Sequence, residues 1–200
     1  MITVAQLVED VAEITGEPEK SVRNYARALI DGGLLPKSRG RAIAGVEFVH
    51  VLRLLAAVAI QPKLKESAEV VAQYMGLKRE GVGDLPLTDD MPETFRIKAT
   101  ETVEEYICDW LEALFDAEPE NAELREVAKS LQITFVMNWQ EIAVSLEEDD
   151  KRLIQRFRAS GQLYGHWAKK IRRSTEIAAE TFVWLGHNNN RDYRTGGNIV

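Results

Sequence analysis

Two glycine stops, at Gly16 and at Gly32-Gly33, constrain this chain more than any other feature. They cut its first 35 residues into two short helices with almost no chain between them. Thr3 is placed to cap a first helix whose apolar residues Val4, Leu7, Val8, Val11, Ala12 and Ile14 fall at helical spacing. Gly16 ends that helix. Pro18 suits the first turn of the next, where its missing N–H leaves no hydrogen bond unmade. From there Val22, Tyr25, Ala26, Leu29 and Ile30 make an inward stripe and leave Lys20, Ser21, Arg23, Asn24 and Arg27 facing out. Gly32-Gly33 closes the second helix, since glycine tolerates the left-handed conformation of a C-terminal cap. Two helices joined by the tight turn at Gly16-Glu17 form a helix-turn-helix arrangement, with the second helix free to enter a groove.

The segment after the second helix adds a basic loop and a third helix. Leu34-Leu35-Pro36 is apolar and is expected to fold back on the helices, whereas Lys37-Ser38-Arg39-Gly40-Arg41 is a cationic loop suited to phosphates or a minor groove. Val46, Val49, Leu52, Leu55, Ala56 and Ala59 then restart a helical stripe that stops near Ile60-Gln61-Pro62. The order SVRNYARALIDGGLLP, basic loop, VEFVHVLRLLAAV resembles the winged helix-turn-helix head of MerR-type regulators and phage excisionases. It is also similar to N-terminal DNA-binding domains of phage and prophage proteins. The resemblance covers roughly residues 1–60, under a third of the chain, and rests on order and residue class. It implies a duplex DNA partner. Lys20, Ser21, Arg23, Asn24 and Arg27 would face base edges and flanking phosphates, and Lys37, Arg39 and Arg41 would hold the backbone or enter the minor groove. Two departures limit it. MerR-type regulators continue into one long dimerising helix, whereas this chain changes character after Pro62. With Cys108 as the lone cysteine there is also no cysteine cluster for a sensed metal.

The net charge of −7 is unusual for a nucleic-acid binder, but it is unevenly spread. From Lys20 to Arg41 there are six Lys/Arg against Asp31. Residues 101–126 carry ten Asp/Glu against Arg125, and residues 151–173 carry eight Lys/Arg and no acid. Charges beyond about 10 Å are largely screened at ordinary salt, so a local cationic patch keeps its own field. Each block taken alone also reads as a plain solvated face. The basic run 151–173, with Phe157, Tyr164 and Trp167 interleaved, fits either a second nucleic-acid surface or the acidic helix of a neighbouring subunit. The chain has no apolar run near the ~20 residues a bilayer span needs. Its start, MITVAQLVED, lacks the pattern of a signal peptide, and a single cysteine fits a reducing cytoplasm.

Beyond the head, residues 63–99 read as a linker containing one short helix over 65–76, with Ala68, Val70, Val71 and Tyr74 on its apolar side. GLKREGVGDLPLTDDMPETF is dense in glycine, proline and acids. A second domain is expected over 100–187. Val103, Ile107, Trp110, Leu111 and Leu114 share one helical face, and NAELREVAKSL makes a further short helix. Residues 130–137 and 141–146 then read as two strands around Asn138-Trp139-Gln140, a β-hairpin, with a helix as the alternative. Leu153–Gly161 is open between helix and strand, 168–177 alternates as a strand, 178–186 is a terminal helix and 188–200 a loose tail. The expected class is α+β: an all-α winged helix-turn-helix head on a mixed α+β domain.

Catalytic signatures are absent from the sequence. There is no HExxH, GxSxG, P-loop or GxGxxG. His50 lies in an apolar helix and reads as a packing residue; His166 and His187 have no metal-ligand spacing. Cys108 sits among acids, which disfavour a thiolate, and reads as a small half-buried residue. No cofactor, metal or enzymatic activity is expected. Trp110, Trp139, Trp167 and Trp184 all lie outside the head and suit either a core or an interface. The resulting expectation is a cytoplasmic, sequence-specific DNA-binding protein, a phage or prophage transcriptional regulator working as a homodimer or higher oligomer. The alternatives are a small-terminase-like packaging subunit, or an acidic interaction module that meets a protein partner through the helix within 101–126 and regulates its own operon through the head.

Overall fold

A computed structural model of the protein describes residues 2–38, 44–79, 102–116, 118–137, 139–148, 151–159 and 174–187. The chain divides into two compact units. One comprises Met1–Gln73 together with the residues from Glu180 onward, and the other Tyr74–Ala179.

The first unit begins with α1 (Val4–Thr15), α2 (Glu19–Asp31) and α3 (Phe48–Ile60). At the start of α1, Thr3 Oγ1 accepts from the Gln6 N–H at 3.2 Å and Gln6 Oε1 accepts from the Thr3 N–H at 2.9 Å. This reciprocal box satisfies two N–H groups that the first turn leaves open. Gly16, at φ 70°, ends α1. Pro18 precedes α2 by one position and its carbonyl accepts from the Ser21 and Val22 N–H groups. The other end of α2 is a Schellman cap. Gly33 takes φ 76°, the Leu34 N–H donates to the Leu29 carbonyl at 2.8 Å, and the Gly33 N–H donates to that of Ile30 at 3.1 Å. Leu7, Val8 and Val11 of α1 and Val22, Ala26 and Leu29 of α2 are buried. So is nearly every side chain of α3, as its almost unbroken apolar sequence requires. The buried set on α3 is wider than a single stripe and includes Leu54, Ala57, Val58 and Ile60.

The segment expected as a linker starts as regular structure. A 3₁₀ turn over Leu64–Glu66 runs into α4 (Ser67–Met75), with Val71, Tyr74 and Met75 buried. β1 (Lys78–Arg79) follows and pairs antiparallel with a sheet strand far along the chain, at Arg158 and Phe157. Residues 80–99 of the expected linker lie outside the described residues. So do residues 188–200, expected as a tail.

The second unit carries α5 (Val103–Phe115), α6 (Ala122–Lys129) and the strands β2 (Gln132–Val136), β3 (Glu141–Glu148), β4 (Lys151–Arg158) and β5 (Ser174–Ala178). The expected hairpin is present, with β2 and β3 pairing antiparallel from Gln132↔Ser145 to Val136↔Glu141. The region left open at 153–161 is strand to Arg158, paired along the whole length of β3. Of the alternating run at 168–177, Ser174–Ile177 is the strand, while 168–173 lies outside the described residues. Together with β1 these strands make an antiparallel sheet in the order β1-β4-β3-β2-β5. Side chains alternate between its faces, so Ile133, Phe135, Ile142, Val144, Leu146, Phe157 and Ile177 are buried on one face, and Val136 and Ala143 on the other. α5 packs through Val103, Ile107, Trp110, Leu111 and Leu114, all buried, and the Tyr106 ring lies 5.3 Å from that of Phe157. Tyr74 Oη, 2.7 Å from the Val136 carbonyl oxygen and 3.1 Å from that of Trp139, ties the end of α4 to the hairpin loop.

The protein is therefore mixed α+β. The boundaries differ from those expected at 62 and 100, because the last turn of α4 and β1 belong with the sheet. The terminal helix α7 (Ala179–His187), with Phe182 and Leu185 buried, falls from Glu180 onward with the first unit.

Candidate nucleic-acid interface

The second helix of the head presents one polar stripe. Lys20, Arg23, Asn24, Arg27 and Asp31 are exposed at helical spacing, opposite the buried Val22, Ala26 and Leu29. Arg23 is paired with Glu19 one turn earlier, a surface contact of small energetic weight. Ser21 is not on this stripe. It is half-buried on the flank, where it lines a cavity of about 230 Å³ with Glu17, Val22, Tyr25, Val58 and Gln61. Lys37 is exposed just beyond the helix cap. Arg39 and Arg41, the other cations expected in the basic loop, lie outside the described residues.

Three contacts hold α2 in place. Tyr25 Oη donates to the Pro62 carbonyl at 3.3 Å, joining the middle of α2 to the end of α3. Burial, with the Glu17 carboxylate adding to it, raises the Tyr25 phenol above its ordinary value. Arg53 of α3 donates to the Leu34 carbonyl at 3.1 Å and secures the chain leaving the Schellman cap, so this cation is committed to the fold. The third contact is steric: a Cβ built on Gly32 would lie 2.2 Å from the Ala68 Cβ. The end of α2 and the start of α4 thus approach as closely as a glycine permits.

A winged head also needs a β-hairpin after α2. Residues 34–38 and 44–47 form no strand, and their contacts include the Val46 N–H to the Ile2 carbonyl at 3.0 Å and the Ala44 N–H to Ser38 Oγ at 3.4 Å.

One groove touching α2 has no signal in the sequence. About 480 Å³ in volume, it runs between Asn24, Arg27 and Asp31 on one side and Leu64, Lys65 and Ala68 on the other. Lys65 stands far from the Lys20–Arg41 block in the chain, and only the fold brings it to α2.

The other charge blocks are distributed differently. On β4 the side chains of Arg152, Arg156 and Arg158 share one face, and the sheet's own carboxylates engage them. Arg156 and Arg158 donate to Glu141 at 2.7 and 2.9 Å, and Arg152 lies 3.7 Å from Glu147. Arg152 also donates to Gln132 at 3.1 Å and Ser145 at 3.3 Å. Arg152, Arg156 and Arg158 of the basic run 151–173 thus have partners within their own sheet, which neither the nucleic-acid nor the neighbouring-subunit expectation included. Lys169 to Arg173, with Tyr164 and Trp167, lie outside the described residues. On α5, Glu105 and Glu112 are exposed, and beyond it so are Glu118, Glu120, Glu123 and Glu126.

His50 is half-buried, and its Nδ1 accepts from the Glu47 N–H at 3.0 Å, which makes it part of the start of α3. Cys108 is half-buried. Trp110 is buried against Tyr106 and Trp139 donates to Glu141 at 3.0 Å. His166 and Trp167 lie outside the described residues. Among the described residues no group of three or more His, Cys, Asp or Glu side chains could hold a metal ion, and no helix is long and apolar enough to cross a membrane.

The arrangement defines an α+β protein whose first unit offers a cationic helix face beside a groove. Comparison with family models, with curated proteins and with solved structures gives no match for the chain.

Proposed function

We propose that the chain is a sequence-specific duplex-DNA-binding protein, a phage or prophage transcriptional regulator that reads DNA with α2 of a winged helix-turn-helix head. The observation that carries this reading is the exposed stripe Lys20, Arg23, Asn24 and Arg27 on the second of two helices joined by a three-residue turn. Arginine can present paired donors to guanine, and asparagine pairs with adenine, in the major groove. Lysines and the remaining arginines hold phosphates and set the register. Lys37, with Arg39 and Arg41 further along the loop, adds backbone or minor-groove contacts. A head this small binds weakly alone, so a homodimer would read two half-sites. The strands of the second unit weigh against a small-terminase-like subunit, which would assemble through long helical hairpins. The exposed acids at Glu105, Glu112, Glu118, Glu120, Glu123 and Glu126 favour a second role for that unit, contact with a basic protein partner.

The test is selection from a randomised duplex pool with the full chain, followed by sequencing, with Arg23→Ala/Arg27→Ala as control. Enrichment of one motif, lost in the control, is the expected result, and a two-fold symmetric motif would report the dimer. Retention of no motif at moderate salt would sink the regulator reading and leave the protein-partner role.

A further inference from the structure

The groove between α2 and the 3₁₀ turn contains a cation that the head's own sequence does not supply. Arg27 and Asn24 form one wall and Lys65 stands on the other. Asp31 lies in the same groove, so an anion entering there meets two cations and one acid. The Lys65 side chain is 79% exposed and pairs with its neighbour Glu66, at 3.4 Å. A contact that exposed is weakly held, leaving the ammonium able to turn toward a stronger partner. The backbone carrying Lys65 is constrained by contrast. The turn packs on α2, Ser67 Oγ donates to the Lys63 carbonyl at 3.1 Å, and Gly32 lies directly against Ala68.

We infer that Lys65 takes one phosphate of the DNA backbone in this groove, beside the base-reading Arg27, and that the Gly32–Ala68 contact positions Lys65 for it. The inference rests on the DNA-binding reading above. Duplex DNA is the partner because the exposed stripe of α2 continues directly into the groove wall, so a helix seated on the stripe brings its flanking backbone across Lys65. The ammonium adds positive charge to the groove that holds Asp31, one of two exposed acids, with Glu19, at this spacing on α2. Lys65 is a phosphate contact with no part in reading bases, and Gly32 acts only through it.

The experiment measures binding of the full-length protein to a selected duplex and to a scrambled duplex over a salt series. Lys65→Gln is expected to weaken both severalfold, to leave their ratio unchanged, and to reduce the slope of log affinity against log salt by about 0.9, the value of one phosphate contact. Gly32→Ala keeps every charge but drives a methyl group into Ala68, and should give the same loss. Adding Ala68→Gly to it reopens the space and should restore both affinity and slope. An unchanged affinity and slope in Lys65→Gln, while Arg27→Ala loses motif preference, would overturn the inference and leave the DNA-binding reading standing. If wild type binds neither duplex, the reading itself fails and the inference falls with it. Should Gly32→Ala not fold, Lys65→Gln alone decides.

Discussion

Arg158 Nε donates to Glu141 Oε2 at 2.9 Å across directly paired positions of β4 and β3. The Glu141 carboxylate is 3% exposed, and Arg156 and Trp139 Nε1 donate to it as well, so a buried anion at the hairpin end has its charge met from three sides. Removing one member of such a group strands the others. Glu141→Ala is therefore expected to destabilise the second unit by about 3 kcal/mol, as loss of one partner of a buried ion pair does. Urea unfolding followed by circular dichroism, with amide exchange in β3 and β4 as the local readout, checks this. A loss under about 1 kcal/mol would mean that water replaces the carboxylate at little cost.

The division of labour on the head predicts two kinds of DNA-binding defect. Arg27→Ala should lower affinity for the preferred duplex and flatten the ranking among sequences, as loss of a bidentate base contact worth about 1–3 kcal/mol does. Lys37→Ala should weaken all duplexes alike and reduce the salt slope by about 1. Fluorescence anisotropy on a panel of duplexes separates them. Parallel losses in both variants would show that α2 holds the backbone without reading bases.

Gly33 takes φ 76° at the end of α2, a conformation that costs an L-residue with a side chain about 1–2 kcal/mol. Gly33→Ala should lower the stability of the first unit by about 1 kcal/mol, and Gly33→Asn by less, since asparagine tolerates this region. Thermal unfolding of the two variants side by side provides the measurement; equal stability of Gly33→Ala and wild type would contradict the cap.

The Tyr25 phenol has its proton held by burial and by the nearby Glu17 carboxylate. Its folded value lies above the unfolded one of about 10, so its contribution is fully present below about pH 10 and fades as pH rises through the higher folded value. Tyr25→Phe removes that dependence along with the hydrogen bond to Pro62. The variant should therefore be less stable at neutral pH and lose less on passing from about pH 9 to about pH 11. Stability curves at the two pH values that stay parallel for variant and wild type would exclude Tyr25 as their source.

The parts of the fold legible in the chain are those set by neighbours in sequence. Thr3, Gly16 and Gly32-Gly33 bound the first two helices because caps act through hydrogen bonds reaching three to five residues. The β2–β3 hairpin is legible because its β-branched runs flank a short connection. At 153–158 the same kind of run is ambiguous. Its strand depends on pairing with β3, and the sequence at 149–150, Asp-Asp, carries no glycine or asparagine signal. The short helix expected within the linker is present as α4, whereas residues 78–79 depart from expectation for a similar reason, since Lys78 and Arg79 form a strand only because Arg158 and Phe157 stand beside them.

By itself the sequence determined the helices and their ends, the outward set Lys20, Arg23, Asn24 and Arg27, and the apolar face of α5, all consequences of helical period and local capping. Tertiary structure alone decided the strand order β1-β4-β3-β2-β5, the capture of the β4 arginines by Glu141 and Glu147, the turn of Ser21 toward a side cavity, and the arrival of Lys65 beside Arg27. Each of these joins or sorts residues by packing between elements, and the free energy of such contacts depends on which surfaces meet, a quantity that no window of local sequence contains.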